Sequence, residues 1–573
     1  MKEPHPAITT LYFSRKYQTM KWWSTGVLLL VMMHAQAQLF DNKESFTHAD
    51  TIRGSITPER SWWNVTHYDL TIRFNEENKT LEGKNTISFR VEDTGSSMQI
   101  DLMQPLEVDR VLLDGEPVSI SRHDDVFYLQ TPSLANGSIH KLEISYHGKP
   151  RVARLPPWDG GVIWSRDHNG NSWISVACQG LGASVWYPNK DHQSDEPDSA
   201  AMHIITNKGQ TAVSNGRFRG MTENADGSLT WNWAVVNPIN NYNLIPYIGK
   251  YEDHHSTYQG EAGTLDVDMW FLEGHMDQAI SHVLPDINKT LEAFEYWFGP
   301  YPFYEDGFKM VEAPHLGMEH QSAIAYGNKF KKGYLGGDLS GTGEGDDWDY
   351  IVVHESGHEW FGNNITTKDI ADMWVHEGFT DYSETLFIEY WKGKDAADKY
   401  VRGLRKNISN DEPVIGPYLV NTEGSGDMYY KGANLLHTIR QVIDNDSLFR
   451  DILRGLNHDF YHQTVTSLMV EDYISRKAGM DLGRIFTQYL RTTHIPVFDY
   501  HFEDGKSGPV LVYRWANIVK GMNMPYDIQV DDQLVRLYPS QEYQYYDLPA
   551  GFDTRKNISG NLDYYVLTQR SGK

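Results

Sequence analysis

Two histidines four residues apart, in the run His354-Glu355-Ser356-Gly357-His358, are followed after 18 intervening residues by Glu377. In an α-helix, residues at i and i+4 lie one turn apart on one face, so both imidazoles can reach a single cation. Glu355, next to the first histidine, is then placed to approach a water held by that cation instead of the cation itself. The pattern therefore constrains a fold as well as a chemistry: one helix carries both histidines, and a second must deliver Glu377 to the same point. The chemistry implied is metal-assisted hydrolysis of a peptide bond. Asp346, Asp347 and Asp349 suit a helix N-terminus, Ile351-Val352-Val353 leads into His354, and Gly362-Asn363 is the expected stop. Gly357 costs a helix interior about 1 kcal/mol relative to Ala, so close packing against that position is expected. The second helix is expected from Trp374 towards Tyr390, with Glu377 in its first turn. H-E-x-x-H alone occurs by chance in proteins that bind no metal; here a helical context and a correctly spaced carboxylate accompany it.

A chain of 573 residues exceeds one compact core, and 40% hydrophobic with 22% charged residues describes folded domains. The formal charge of -26 argues against nucleic acid as a partner; it serves solubility, or attraction for cations such as peptide amino termini. Residues 1–37 are expected to be a signal peptide, with Met20 a possible true start. Lys21 precedes the apolar run Trp22 to Met33, which is short for a membrane span, and Ala35-Gln36-Ala37 has the small-x-small form cut before Gln38. An exported protein, periplasmic or extracellular and bacterial, with no membrane attachment after cleavage, is the expectation. Cys178 is the only cysteine, so no intrachain disulfide can form, and no cysteine at the cleavage junction offers a lipid anchor.

The fold class expected is multidomain α+β. Residues 38–57 read as an extended lead-in. Residues 58–272 read as an antiparallel β domain, from alternating runs such as His67 to Phe74 and Asn85 to Val91 and turn dipeptides Asp114-Gly115 and Asn136-Gly137. Residues 273–494 read as a mainly helical catalytic domain, opening with Ile280, Val283, Leu284, Ile287, Leu291 and Phe294 at helical spacing. Residues 495–573, with alternation in Val510 to Trp515 and Leu534 to Tyr538, read as a small β-sandwich.

A peptidase also needs a donor beside the metal for the oxyanion, and a chain-end peptidase needs groups for an ammonium. Five stretches bear on this. His354 to Asn363 is similar to H-E-x-x-H-x-W-F-G-N, and Trp374-Val375-His376-Glu377-Gly378-Phe379 to W-x-N-E-G-F. Leu316-Gly317-Met318-Glu319-His320 resembles G-x-M-E-N, with Leu316 and His320 as departures. Tyr429-Tyr430-Lys431-Gly432-Ala433 resembles Y-x-K-G-A, and Gln179 to Pro188 resembles Q-x-x-x-A-R-x-x-F-P, with Ser184 in place of arginine. The chain thus resembles the gluzincin metallo-aminopeptidases, the family of aminopeptidase N and leukotriene hydrolase. Thermolysin-type endopeptidases place the third ligand one residue further along.

The resemblance implies a saddle-like N-terminal β domain, a thermolysin-like catalytic domain and one Zn2+ per chain held by His354, His358 and Glu377. It implies Glu355 as general base, Tyr429 as oxyanion donor, and Glu319 with Gln179 as the pocket for a free α-amino group. Gly317 and Met318 would pair with substrate in strand fashion, and Tyr430 and Cys178 would only pack. The long helical C-terminal domain of many members is not matched, so an open cleft is expected. The partners implied are peptides with a free amino terminus; no oligomeric state follows. Competing readings are a zinc endopeptidase, an epoxide hydrolase of the leukotriene type, and a non-catalytic peptide-binding scaffold, although the last would be expected to lose Glu355 or a ligand.

Overall fold

The computed structural model describes residues 46–572, so the expected signal peptide lies outside the described residues. The chain divides into two compact units, Met1–Thr51 and Ile52–Lys573, and everything below concerns the second. Of the expected lead-in only residues 46–57 are described, and they include a short helix, His48–Gly54; a second short helix, Pro58–Ser61, follows it. Pro58 sits in the first turn of the second, where its missing N–H leaves no bond unmade.

An eight-stranded sheet dominates the β region, and its central strands alternate buried and half-exposed residues as the sequence pattern requires. Trp63–Asn75 pairs antiparallel with Thr80–Val91 but parallel with Ser199–Thr206, so the sheet is antiparallel-rich rather than purely antiparallel. In a four-stranded sheet, the interior strand Ser172–Ala177 leads directly into Cys178 and Gln179.

The division expected at residue 272 falls inside a sheet. Strands Tyr251–Gly260 and Gly263–Leu272 continue through Phe308–Glu312 and Ile324–Tyr326 to the edge strand Gly317–Met318. Leu265, Val267, Met269 and Phe271 pack in one core with Met310, Ile324 and the helices that follow, so this hairpin goes with the catalytic segment. The helix Met276–Phe298 buries Val283, Ile287, Leu291 and Phe294, the stripe read from the sequence. The His354 helix spans Tyr350–Gly357 and stops five residues before Gly362. After it the chain tightens into turns, with Glu359 N–H donating to Ser356 O and Trp360 N–H to Gly357 O; His358 keeps helical angles as its C-cap, which preserves the one-turn offset from His354. The second helix runs Trp374–Lys392, and a third, Tyr430–Ile443, crosses it.

At the C-terminal end, a four-stranded and a three-stranded sheet face each other through aromatic contacts such as Phe498 with Tyr526 and Trp515 with Tyr526. Their inner faces merge with the catalytic core. No helix among the described residues is long and apolar enough to cross a membrane.

Candidate active site

The His354 helix starts on Asp349, whose side chain accepts from Ile351 N–H at 3.2 Å and also from Asn328 and the Tyr326 hydroxyl at 2.7 Å. Gly357 lies against the Glu377 helix. A Cβ there would stand 2.6 Å from Ser383 Oγ and 3.1 Å from a Thr380 methyl, so only glycine allows the two helices this approach. The packing inferred from an unfavourable helix residue is therefore present.

That approach brings His354, His358 and Glu377 together, with one ligand atom from each within 4.8 Å of the others. All are buried. Glu377 Oε2 lies 3.3 Å from His358 Nε2 and 3.9 Å from His354 Nε2. Both imidazoles are turned by their other nitrogen: His354 Nδ1 faces Glu384 Oε1 at 2.7 Å, and His358 Nδ1 faces the Phe361 carbonyl and Thr380 Oγ1, each at 3.1 Å. Glu377 Oε2 is buried without a hydrogen-bond donor. Two oriented nitrogens and an orphaned carboxylate oxygen fit a divalent cation, and the donor set is that of zinc.

Glu355 shares this cavity of about 470 Å³. Burial pushes its carboxyl up to about 7, while the neighbouring His354 and His358 charges pull it down. A Cβ on Gly317 would meet the Glu355 carboxylate and the Ile351 side chain, so a side chain there would displace the Glu355 carboxylate from its present place. Gly317 and Met318 line the cavity on the outermost strand of the five-stranded sheet, where an extended chain can be added. Leu316 lines it as well. His320 instead turns inward, fully buried, and its Nδ1 meets the Tyr247 hydroxyl at 2.6 Å.

Gln179 crosses from the β region: its Nε2 donates to Glu319 Oε1 at 2.5 Å and to Glu377 Oε1 at 3.3 Å. The buried Tyr242 hydroxyl donates to the same Glu319 oxygen at 2.7 Å. Ser184, at the departure from the motif, is buried and donates its backbone N–H to Asp191 at 2.9 Å. Cys178 is fully buried, its Sγ against the Tyr242 carbonyl, and burial pushes its thiol well above the ordinary range; it has the environment of an inert packing residue.

Tyr429 stands just before the Tyr430–Ile443 helix and lines the cavity, its ring stacked towards His354. A glycine pair puts it there. A Cβ on Gly432 would be 2.8 Å from Gly378 Cα, so the two helices touch backbone to backbone one residue from Glu377. Burial, reinforced by Glu377 and Glu423, raises the Tyr429 phenol and keeps it a donor. Tyr430, read as packing, also borders the cavity. Tyr242, Glu384, Thr380 and Glu423 were not signalled by sequence; the first three are distant in the chain from the residues they bond, and Glu423 falls outside every motif.

The fold and the site together define a zinc-peptidase class with an H-E-x-x-H helix and a glutamate from the next helix. Residues 284–489 match the Peptidase family M1 domain, which places this segment of the chain in that peptidase family. A probable aminopeptidase 1 of Saccharolobus solfataricus is 22% identical over 525 residues, covering 88% of this chain and 63% of its own length. Endoplasmic reticulum aminopeptidase 1 of Rattus norvegicus is 24% identical over 432 residues, covering 70% and 44%. This chain thus spans less than two thirds of the length of these relatives. Among solved structures, an M1 zinc metallopeptidase mutant from Deinococcus radiodurans superposes with a TM-score of 0.64 at 21% identity, over 77% of this chain and 97% of that one. Another structure of that Deinococcus radiodurans enzyme, bound to a Tyr-Ser-Ala substrate, gives 0.62 at 20% identity, over 77% and 97%.

Proposed function

We propose that this protein is a zinc-dependent aminopeptidase that removes the first residue of peptides with a free amino terminus. The observation that carries the reading is the contact of Gln179 with both Glu319 and the ligand Glu377. It sets an amine-binding pole immediately beside the metal ligands, so an ammonium held there leaves only the first peptide bond in reach. Zinc, held by His354, His358 and Glu377, would supply Lewis acidity for the carbonyl and lower the pKa of the attacking water. Glu355 takes that water's proton on its carboxylate and returns it to the leaving amine. The Tyr429 hydroxyl donates to the oxyanion, and Glu319 with Gln179 holds the α-ammonium. Gly317 and Met318 align the peptide backbone at the sheet edge. An endopeptidase would leave this carboxylate–amide pair without a partner in its substrate.

The test compares a peptide with its N-acetylated form, in the wild type and in Glu319→Gln. Release from the free form alone, with the loss in the variant confined to it, is the expected result. Cleavage of both forms at equal rates would establish the endopeptidase instead. The proposal includes export to the periplasm or beyond in a bacterium, supported by the apolar segment and the Ala35-Gln36-Ala37 site. A mature protein beginning at Gln38 is expected by mass spectrometry, and an intact segment in the purified native protein would count against it.

A further inference from the structure

Glu319, Glu355, Glu377 and Glu423 line the cavity, and no lysine or arginine lines it. A zinc ion brings two positive charges and a substrate α-ammonium one, which offsets three of those four carboxylates. Glu319 already has Gln179 and Tyr242 around it, and Glu377 faces the histidines. Glu423 is the remainder. Burial, then the charges of Glu377 and Glu319, push its carboxyl up to about 7, and no donor or cation acts in the other direction. A half-buried carboxylate beside two others in that position is costly until a cation arrives.

Its location is set by backbone contacts. The segment that carries it is held by Gly416 N–H to the Ala371 carbonyl, by Ser425 N–H to the Pro413 carbonyl, and by Asn421 Nδ2 to the Gly180 carbonyl, each at 3.0 Å. Gly180, next to Gln179, has a φ of +71°, and a Cβ on it would stand 3.2 Å from Glu423 Oε1. Glu423 therefore faces the cavity at its amine-binding pole, adjacent to but distinct from the Gln179–Glu319 pair. Met318 and Met428 also line the cavity and suit the aliphatic stem of a long side chain.

We propose that Glu423 receives the cationic side chain of an amino-terminal arginine or lysine and makes the enzyme selective for basic first residues. This rests on the aminopeptidase reading above. Arginyl and citrullyl anilides test it, since citrulline matches arginine in shape and lacks its charge. The wild type is expected to favour the arginyl substrate in kcat/KM by about tenfold or more, the scale of a hydrogen bond to a charged group. In Glu423→Gln the arginyl-to-citrullyl ratio should fall towards unity. An equal loss on both substrates would mean that Glu423 serves the ammonium or the loop, and would overturn the proposal. A wild-type ratio near unity would overturn it as well, and decides the matter even if the variant does not fold. Turnover of leucyl anilide without an arginyl preference defeats this inference alone, whereas absence of turnover on every aminoacyl anilide defeats the aminopeptidase reading.

Discussion

Replacing Glu384 loosens a zinc ligand without removing one. Its Oε1 accepts from His354 Nδ1 at 2.7 Å and its Oε2 from the Tyr400 hydroxyl at 2.6 Å, both fully buried. The first bond turns His354 Nε2 towards Glu377 and, being to a carboxylate, makes the imidazole a better donor to the metal. In Glu384→Gln a neutral amide oxygen can still accept from Nδ1, and the Tyr400 hydroxyl can rotate to accept from the amide nitrogen. Only the charge-assisted share is lost, so zinc affinity should fall about tenfold, or about 1.4 kcal/mol. Glu384→Ala removes the acceptor altogether and leaves the imidazole free to turn. There the loss should approach a hundredfold, or about 2.7 kcal/mol. Competition against a chromophoric zinc chelator measures this directly and independently of turnover. If the alanine variant held zinc as tightly as the wild type, the orienting role of Glu384 would be refuted, and His354 would have to be positioned by packing alone.

Glu355→Gln should keep zinc and lose turnover by about a hundredfold to ten-thousandfold, the range of positioned general bases; metal content and anilide hydrolysis measured on one sample check both halves. Gly432→Ala drives a methyl group to within 2.8 Å of Gly378 Cα, which should cost about 1–3 kcal/mol of overpacking and reduce kcat more than it raises KM by shifting Tyr429. Calorimetry with steady-state kinetics reads both effects, and an unchanged melting temperature would contradict the close helix crossing. Removing zinc with a chelator leaves Glu377 buried without its counter-charge, so the apoprotein should melt lower; zinc at about a thousand times its Kd should restore about 4 kcal/mol, seen as recovery of the calorimetric transition.

Zinc spacing was legible in the amino-acid sequence because it is a matter of local backbone geometry. A helix places residues four apart on one face wherever it occurs, and the next helix needed only its first turn to present Glu377. The amphipathic stripe of Met276–Phe298 and the alternation in Trp63–Asn75 were legible for the same reason. Motif glycines could be seen, yet their purpose could not: Gly357 against Ser383, and Gly378 against Gly432, become meaningful only when helices from separate segments touch. That Gly263–Leu272 shares a sheet with Phe308–Glu312 could not be read from the sequence, because alternation marks a strand and says nothing about which sheet it joins. Tyr242 lies 77 residues from Glu319, and Glu384 lies 30 from His354, with no periodicity linking either pair. Local propensity thus determined the helices, the strands and the metal-binding triad. Packing between distant segments decided how those side chains are oriented, what holds the amine pole, and where a fourth carboxylate stands, because hydrogen bonding and burial act through space and leave no repeat along the chain.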